Sequence, residues 1–166
     1  MNETTTYIKL KSKLKDNFPE WIFVHHSAAS EDQTVESIEN YHLSKGWEGV
    51  GYQYLITKTG EVWKGRPEHY HGSHVQGYNT KSIGICLIGH FDFEMPTEAQ
   101  IASLRGLLED LVTRYAIKPE NIAPHRKFSS KSCYGKLLED DWARKLLTSP
   151  NVVKAKQLLE EALKLL

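Results

Sequence analysis

The segment Ser82-Ile83-Gly84-Ile85-Cys86-Leu87-Ile88-Gly89 is apolar at nearly every position. An amphipathic helix or a half-exposed strand would alternate polar and apolar residues, so this run reads as a central strand covered on both faces. A strand of that kind needs neighbours on either side and helices above and below. Trp21-Ile22-Phe23-Val24-His25-His26 also reads as a strand, a β-rich run without a breaker that ends on two histidines. Gly51 to Thr57 and Glu61 to Lys64 read as a second and third strand, joined across Lys58-Thr59-Gly60 with glycine in the turn.

Helical signals lie between and after these strands. Val35, Ile38, Tyr41 or His42, and Lys45 recur at helical spacing, and Gly46 stands where a helix would stop. Thr97 with Gln100 forms the capping-box pattern, and Ile101, Leu104, Leu107, Leu108, Leu111 and Val112 continue it as an apolar stripe to about Tyr115. Ser149-Pro150 opens a further predicted helix carrying Val152, Ala155, Leu158, Leu159, Ala162, Leu163 and Leu166 on one face. The expected class is α/β, a mixed central β-sheet flanked by α-helices in a single domain. Residues 1–19 read as an amino-terminal arm and 20–166 as the domain proper, including the last helix. In the arm Lys9, Lys11, Lys13 and Lys15 alternate with apolar residues, a solvated edge packing on the body.

Composition narrows the function classes. Lys and Arg together number 21 and Asp and Glu 21, so no net positive charge is present to drive binding to nucleic acid or anionic membranes. No apolar run approaches the roughly 18 to 20 residues that span a bilayer, and the start Met1-Asn2-Glu3-Thr4 carries no export signal. Synthesis in the cytoplasm, no membrane insertion and a monomer are the expectations. Cys86 lies within the apolar strand and reads as a small buried hydrophobe, so no disulfide with Cys133 is expected.

What stands out is eight His. His25 closes a strand, His125 follows Asn121-Ile122-Ala123-Pro124, and Cys133 comes eight positions later. Two imidazoles and a thiolate are ligands that zinc accepts, with a fourth position left for water. Spacing alone does not single out this set, because other His and Cys combinations look similar.

The surrounding motifs are more specific. Val24-His25-His26-Ser27-Ala28, the stretch Gly46 to Ile56, Gly72-Ser73-His74-Val75-Gln76-Gly77-Tyr78-Asn79, Ser82 to Gly89, and His125-Arg126 through Lys131-Ser132-Cys133 occur in this order. Together they resemble the type 2 N-acetylmuramoyl-L-alanine amidases, the zinc family that includes phage lysozyme amidases and peptidoglycan recognition proteins. The resemblance covers about residues 20 to 147.

It implies that His25, His125 and Cys133 hold one Zn²⁺ per chain, with Tyr52 and Lys131 beside the metal as catalytic groups and His74 and Asn79 in contact with substrate. The implied reaction is hydrolysis of the amide joining N-acetylmuramic acid to the L-alanine of the peptide stem, with peptidoglycan or muropeptides as partner. On position in the strand His26 is an alternative ligand; the motif favours His25, and alternation sends His26 to the other face. Tyr134-Gly135 after the cysteine and Ser129-Ser130 before Lys131 depart from the family pattern, which often has proline there. A phage or prophage endolysin, released to the wall by a holin-like protein or a secretion system, is the leading expectation. A muropeptide-binding module that does not cut, and a cytosolic enzyme of wall recycling, are the alternatives; recycling relatives usually carry Asp where this chain has Cys133.

Overall fold

The computed structural model describes residues 2–3, 14–29, 33–148 and 161–164. Six strands form one sheet: β1 (Asn2–Glu3), β2 (Trp21–His26), β3 (Tyr54–Ile56), β4 (Val62–Lys64), β5 (Ser82–Leu87) and β6 (Ile122–Pro124). Their spatial order is β1-β4-β3-β5-β2-β6. Among these six strands β3 and β4 pair antiparallel, and the other ladders are parallel. The sheet is therefore mixed, and β5 lies inside it with every residue buried.

Helices cover the two faces. Helix α2 (Glu98–Tyr115) opens on the Thr97/Gln100 capping box and lays Leu104, Leu107, Leu108 and Leu111 against Ile22, Val24, Ile83, Ile85 and Leu87. Each such leucine contributes about 2 kcal/mol of apolar burial. Gln100 does more than cap. Its Nε2 donates to the carbonyls of Ile56 at 3.2 Å and Ile88 at 2.9 Å, tying the helix start to two sheet termini. Helix α1 (Val35–Ser44) covers the opposite face, where Val35 and Ile38 pack with Val50, Leu55, Cys86 and Ile88. A short helix α3 (Trp142–Lys145) closes the end of the main core.

The strand expected from Gly51 begins only at Tyr54. Residues 51–53 send their backbone bonds elsewhere: Ser73 N donates to Gly51 O, Arg66 N to Tyr52 O, and Gln53 N to Gly84 O. That segment is thereby bent into a wall beside the sheet. Both cysteines are free thiols, as expected. No helix among the described residues is long and apolar enough to cross a membrane. Lys9, Lys11 and Lys13 lie outside the described residues, as does the predicted last helix except for 161–164, which are exposed. Residues 14–18 rest on the body: Leu14 is buried, and the Asn17 side chain donates to Ser82 O and Glu68 O, each at 2.9 Å.

Glu68 joins the sheet to the end of α2. It accepts from Arg114 at 2.7 and 2.8 Å and from the hydroxyls of Tyr54 and Tyr115. Burial alone would raise its pKa, but the Arg114 contacts and the two hydroxyls outweigh this and bring it down to about 2. A depressed carboxylate pKa contributes stability that is complete above the unfolded value near 4.5 and is lost as pH falls toward 2. Glu68→Gln should therefore cost roughly 2 kcal/mol at pH 7, with the deficit shrinking in acid. Urea unfolding at pH 7 and pH 3 checks this, and an equal deficit at both would refute the charge-based account.

Candidate metal centre

Alternation along β2 decides which histidine enters the site. His25 points to the face of α1, in register with Cys86 and two residues from Phe23, while His26 points toward α2. His26 is buried, and its Nδ1 accepts the N–H of Phe91 at 3.0 Å. It secures the loop after β5.

His125 opens a 3₁₀ turn directly after β6, the strand that pairs with β2 on its outer side. Its ring centroid lies 4.9 Å from that of His25. Cys133 comes from the loop beyond this turn, with Sγ 3.5 Å from His25 Nδ1. The donor atoms of His25, His125 and Cys133 all lie within 4.8 Å of one another. Zn–N near 2.05 Å and Zn–S near 2.3 Å at a tetrahedral angle place nitrogen and sulfur roughly 3.6 Å apart. The observed His25 to Cys133 separation matches that span, and all three donor types are ones that zinc accepts.

The electrostatics suit a cation. Burial, followed by His74 and His125, holds the His25 pKa well below the usual imidazole value, and burial with Lys131 lowers that of His125. Both rings are thus neutral at physiological pH, the form that ligates. Burial pushes the Cys133 thiol up to about 12, against the opposing pull of the His26 backbone hydrogen bond, Lys131 and Arg126. A thiol in that setting gives up its proton only to a strong positive charge.

The loop carrying Cys133 is braced from three sides. Arg126 N donates to Cys133 O at 2.5 Å, and its guanidinium reaches the carbonyls of Gly135 and Leu138 and the carboxylate of Asp140. Asp92 accepts from Ser132 Oγ at 3.0 Å and from Lys136 N at 2.8 Å. Tyr134, at the position that departs from the family pattern, is fully buried and donates from its hydroxyl to Glu139 O at 2.8 Å. Sequence reasoning did not single out Asp92, because an aspartate in a loop carries no spacing signal; only the fold brings it within reach of residues 40 positions away.

The other expected site residues take distinct places. Tyr52 stands on the bent segment 51–53, half-buried, with its ring centroid 5.0 Å from that of His25. His42 holds that segment from below, accepting from Gly51 N at 3.2 Å and stacking on Trp47. Burial, then Cys86 and Cys133, keeps the Tyr52 hydroxyl pKa well above its ordinary value, so it remains a proton donor. Lys131 is exposed on the rim, close enough to bias His125 and Cys133. His74 is buried against His25, with its Nδ1 3.2 Å from His25 Nε2. Asn79 Oδ1 accepts from the N–H groups of His74 and Val75 at 2.9 and 3.0 Å, so that oxygen is committed to shaping the 72–79 loop.

A neutral histidine pair and a thiol converge at the end of a mixed sheet, with a tyrosine donor beside them and a lysine at the rim. Residues 15–136 match the family described as N-acetylmuramoyl-L-alanine amidase. The chain belongs to that family. It is 39% identical over 136 residues to an endolysin of Escherichia phage T7, covering 77% of this chain and 89% of the relative. Peptidoglycan-recognition protein SC2 of Drosophila melanogaster is 35% identical over 128 residues, covering 72% and 70%. Among solved structures, N-acetylmuramoyl-L-alanine amidase LysC from Clostridium intestinale superposes with a TM-score of 0.74 at 31% identity, over 81% of this chain and 88% of that one. The single-domain mixed sheet is thus the amidase fold, and this amidase hydrolyses the bond between N-acetylmuramic acid and L-alanine in peptidoglycan.

Proposed function

We propose that this amidase is a zinc-dependent endolysin in which His25, His125 and Cys133 hold the metal, Tyr52 and Lys131 assist the reaction, and the 72–79 loop with His74 and Asn79 forms the site wall. The observation that carries the reading is the convergence of two imidazoles and one thiol at zinc-ligand spacing. Zinc bound there supplies a Lewis acid and an activated water.

The chain's own groups supply the rest. The Tyr52 hydroxyl, kept protonated, donates a hydrogen bond toward charge developing on the scissile carbonyl oxygen. Lys131 adds a positive charge on the open side, where solvent screens it and leaves its electrostatic contribution smaller than that of a buried group. The endolysin role is supported by the phage relative. Delivery to the wall by a holin-like protein or a secretion system follows from that role. Muropeptide binding without nucleic acid is in keeping with the zero charge balance.

The decisive test is mass spectrometry of purified sacculi digested by zinc-loaded protein. Free stem peptides beginning with L-alanine, with glycan strands left uncut, are expected; saturable binding with unchanged muropeptides would identify a recognition module instead. Soluble anhydro-muropeptides as the preferred substrate would point to recycling.

Metal uptake should also depend on pH with a definite sign. The free Cys133 thiol, at about 12, must lose its proton on binding, while both imidazoles are already neutral. Apparent zinc affinity should rise about tenfold per pH unit between pH 7 and 9, with close to one proton released per zinc. Isothermal titration in buffers of different ionisation enthalpy measures that release, and a value near zero would refute it.

A further inference from the structure

His74 lies 49 positions from His25 and far from the chain segments that carry the other two donors. Its ring occupies a slot that two glycines make possible. A Cβ on Gly72 would stand 2.3 Å from His74 Cδ2, and one on Gly84 would stand 2.7 Å from the same atom. Gly84 belongs to β5, so the imidazole rests directly on a central strand, beside Phe23 and Tyr52. At its base, the backbone N–H of His74 donates to Asn79 Oδ1 at 2.9 Å.

Both ring nitrogens face protein partners. Nδ1 is 3.2 Å from His25 Nε2, and Nε2 is 3.5 Å from Ser82 Oγ. The Ser82 hydroxyl donates onward to Tyr78 O at 2.7 Å. Tautomer logic gives this chain of contacts a direction. His25 turns Nδ1 toward Cys133, so Nδ1 must offer a lone pair and the proton sits on Nε2. That N–H needs an acceptor in a buried site, and His74 Nδ1 is the atom placed to accept it. His74 then carries its own proton on Nε2, facing Ser82.

We propose that His74 is a positioning residue of the metal centre: by accepting from His25 Nε2–H it selects the tautomer and ring orientation in which His25 presents Nδ1 to the cation. This rests on the zinc-site reading above. It gives His74 a role other than the substrate contact expected from sequence, since no ring nitrogen is left over for a ligand. Phe23, Gly72 and Gly84 then act through His74, by shaping the slot.

Two substitutions separate positioning from packing. His74→Asn retains an acceptor oxygen near the Nδ1 position, whereas His74→Leu fills the slot without one. Zinc affinity measured by competition with a chromophoric chelator should fall about 10- to 100-fold in the Leu variant, with most of the loss recovered in the Asn variant. The visible spectrum of the cobalt-substituted protein should change in the Leu variant and resemble the unsubstituted protein in the Asn variant. Without any substitution, long-range proton–nitrogen correlation spectra of the zinc-loaded protein should show His25 protonated on Nε2.

Equal losses in both variants would overturn the proposal, as would His25 protonated on Nδ1. So would zinc affinity in His74→Leu within twofold of an unsubstituted protein that binds zinc tightly. If the unsubstituted protein bound no zinc, the zinc-site reading itself would fail, an outcome distinct from these three.

Discussion

Cys133→Ala is expected to abolish wall hydrolysis, lowering it by at least about 10³-fold, and to leave the purified protein without stoichiometric zinc. The thiolate is the one donor of the set that brings negative charge, so its loss removes both a bond and the charge that balances the cation. Two neutral imidazoles remain, too few to hold zinc against dilution. The fold should survive. Cys133 is a small side chain at the edge of the core, and its loop is held independently by Arg126, Asp92 and Tyr134. Cys133→Asp substitutes a carboxylate, another zinc donor, and should recover part of the metal content. Elemental analysis, far-ultraviolet circular dichroism and release of stem peptides from sacculi together measure the outcome. A folded Cys133→Ala protein that keeps one zinc and its activity would remove the cysteine from the ligand set.

Tyr52→Phe is expected to lower kcat roughly 10²- to 10³-fold while leaving zinc content unchanged. The ring stays, so contacts with His25 and His42 persist, and only the hydroxyl is deleted. Burial favours the protonated hydroxyl, which makes it a donor to a developing oxyanion. A donor used chiefly in the transition state changes kcat more than KM. Steady-state hydrolysis of a soluble muropeptide, paired with zinc analysis, distinguishes this from damage to the metal site. Full activity in the Phe variant would assign Tyr52 to packing. Lys131→Met should have a smaller effect, since its ammonium stands in solvent and is screened by water and salt.

How much of this was legible in the chain differs from element to element. The core strand β5 and helix α2 are written locally, in an unbroken apolar run and in a capping box followed by a heptad-like stripe, and both formed where expected. The hairpin was legible in its turn but not in its start. Residues 51–53 have strand composition, yet Gly65, Arg66, Ser73 and Gly84 claim their backbone groups and bend them. The separation of His25 from His26 followed from a period of two along one strand, a rule that needs no tertiary information.

The braces of the metal loop were hidden because each is a contact between distant segments. Arg126 could be quoted as part of a motif, but its bonds to Gly135, Leu138 and Asp140 depend on how the loop folds back. Asp92 reaches the same loop across 40 positions.

By itself, the sequence determined the class of sheet, the two helices that cover it, which residues of β2 face the site, and through its ordered motifs the family and reaction. Each of these rests on local periodicity or on short runs of neighbouring residues. Tertiary structure alone decided that three donors from β2, the turn after β6 and the following loop come within 4.8 Å of one another. It also seated His74 between Gly72 and Gly84 with its Nδ1 against His25. Such distances depend on the packing of segments far apart in the chain, and on the absence of a Cβ at two glycines, which no periodicity records.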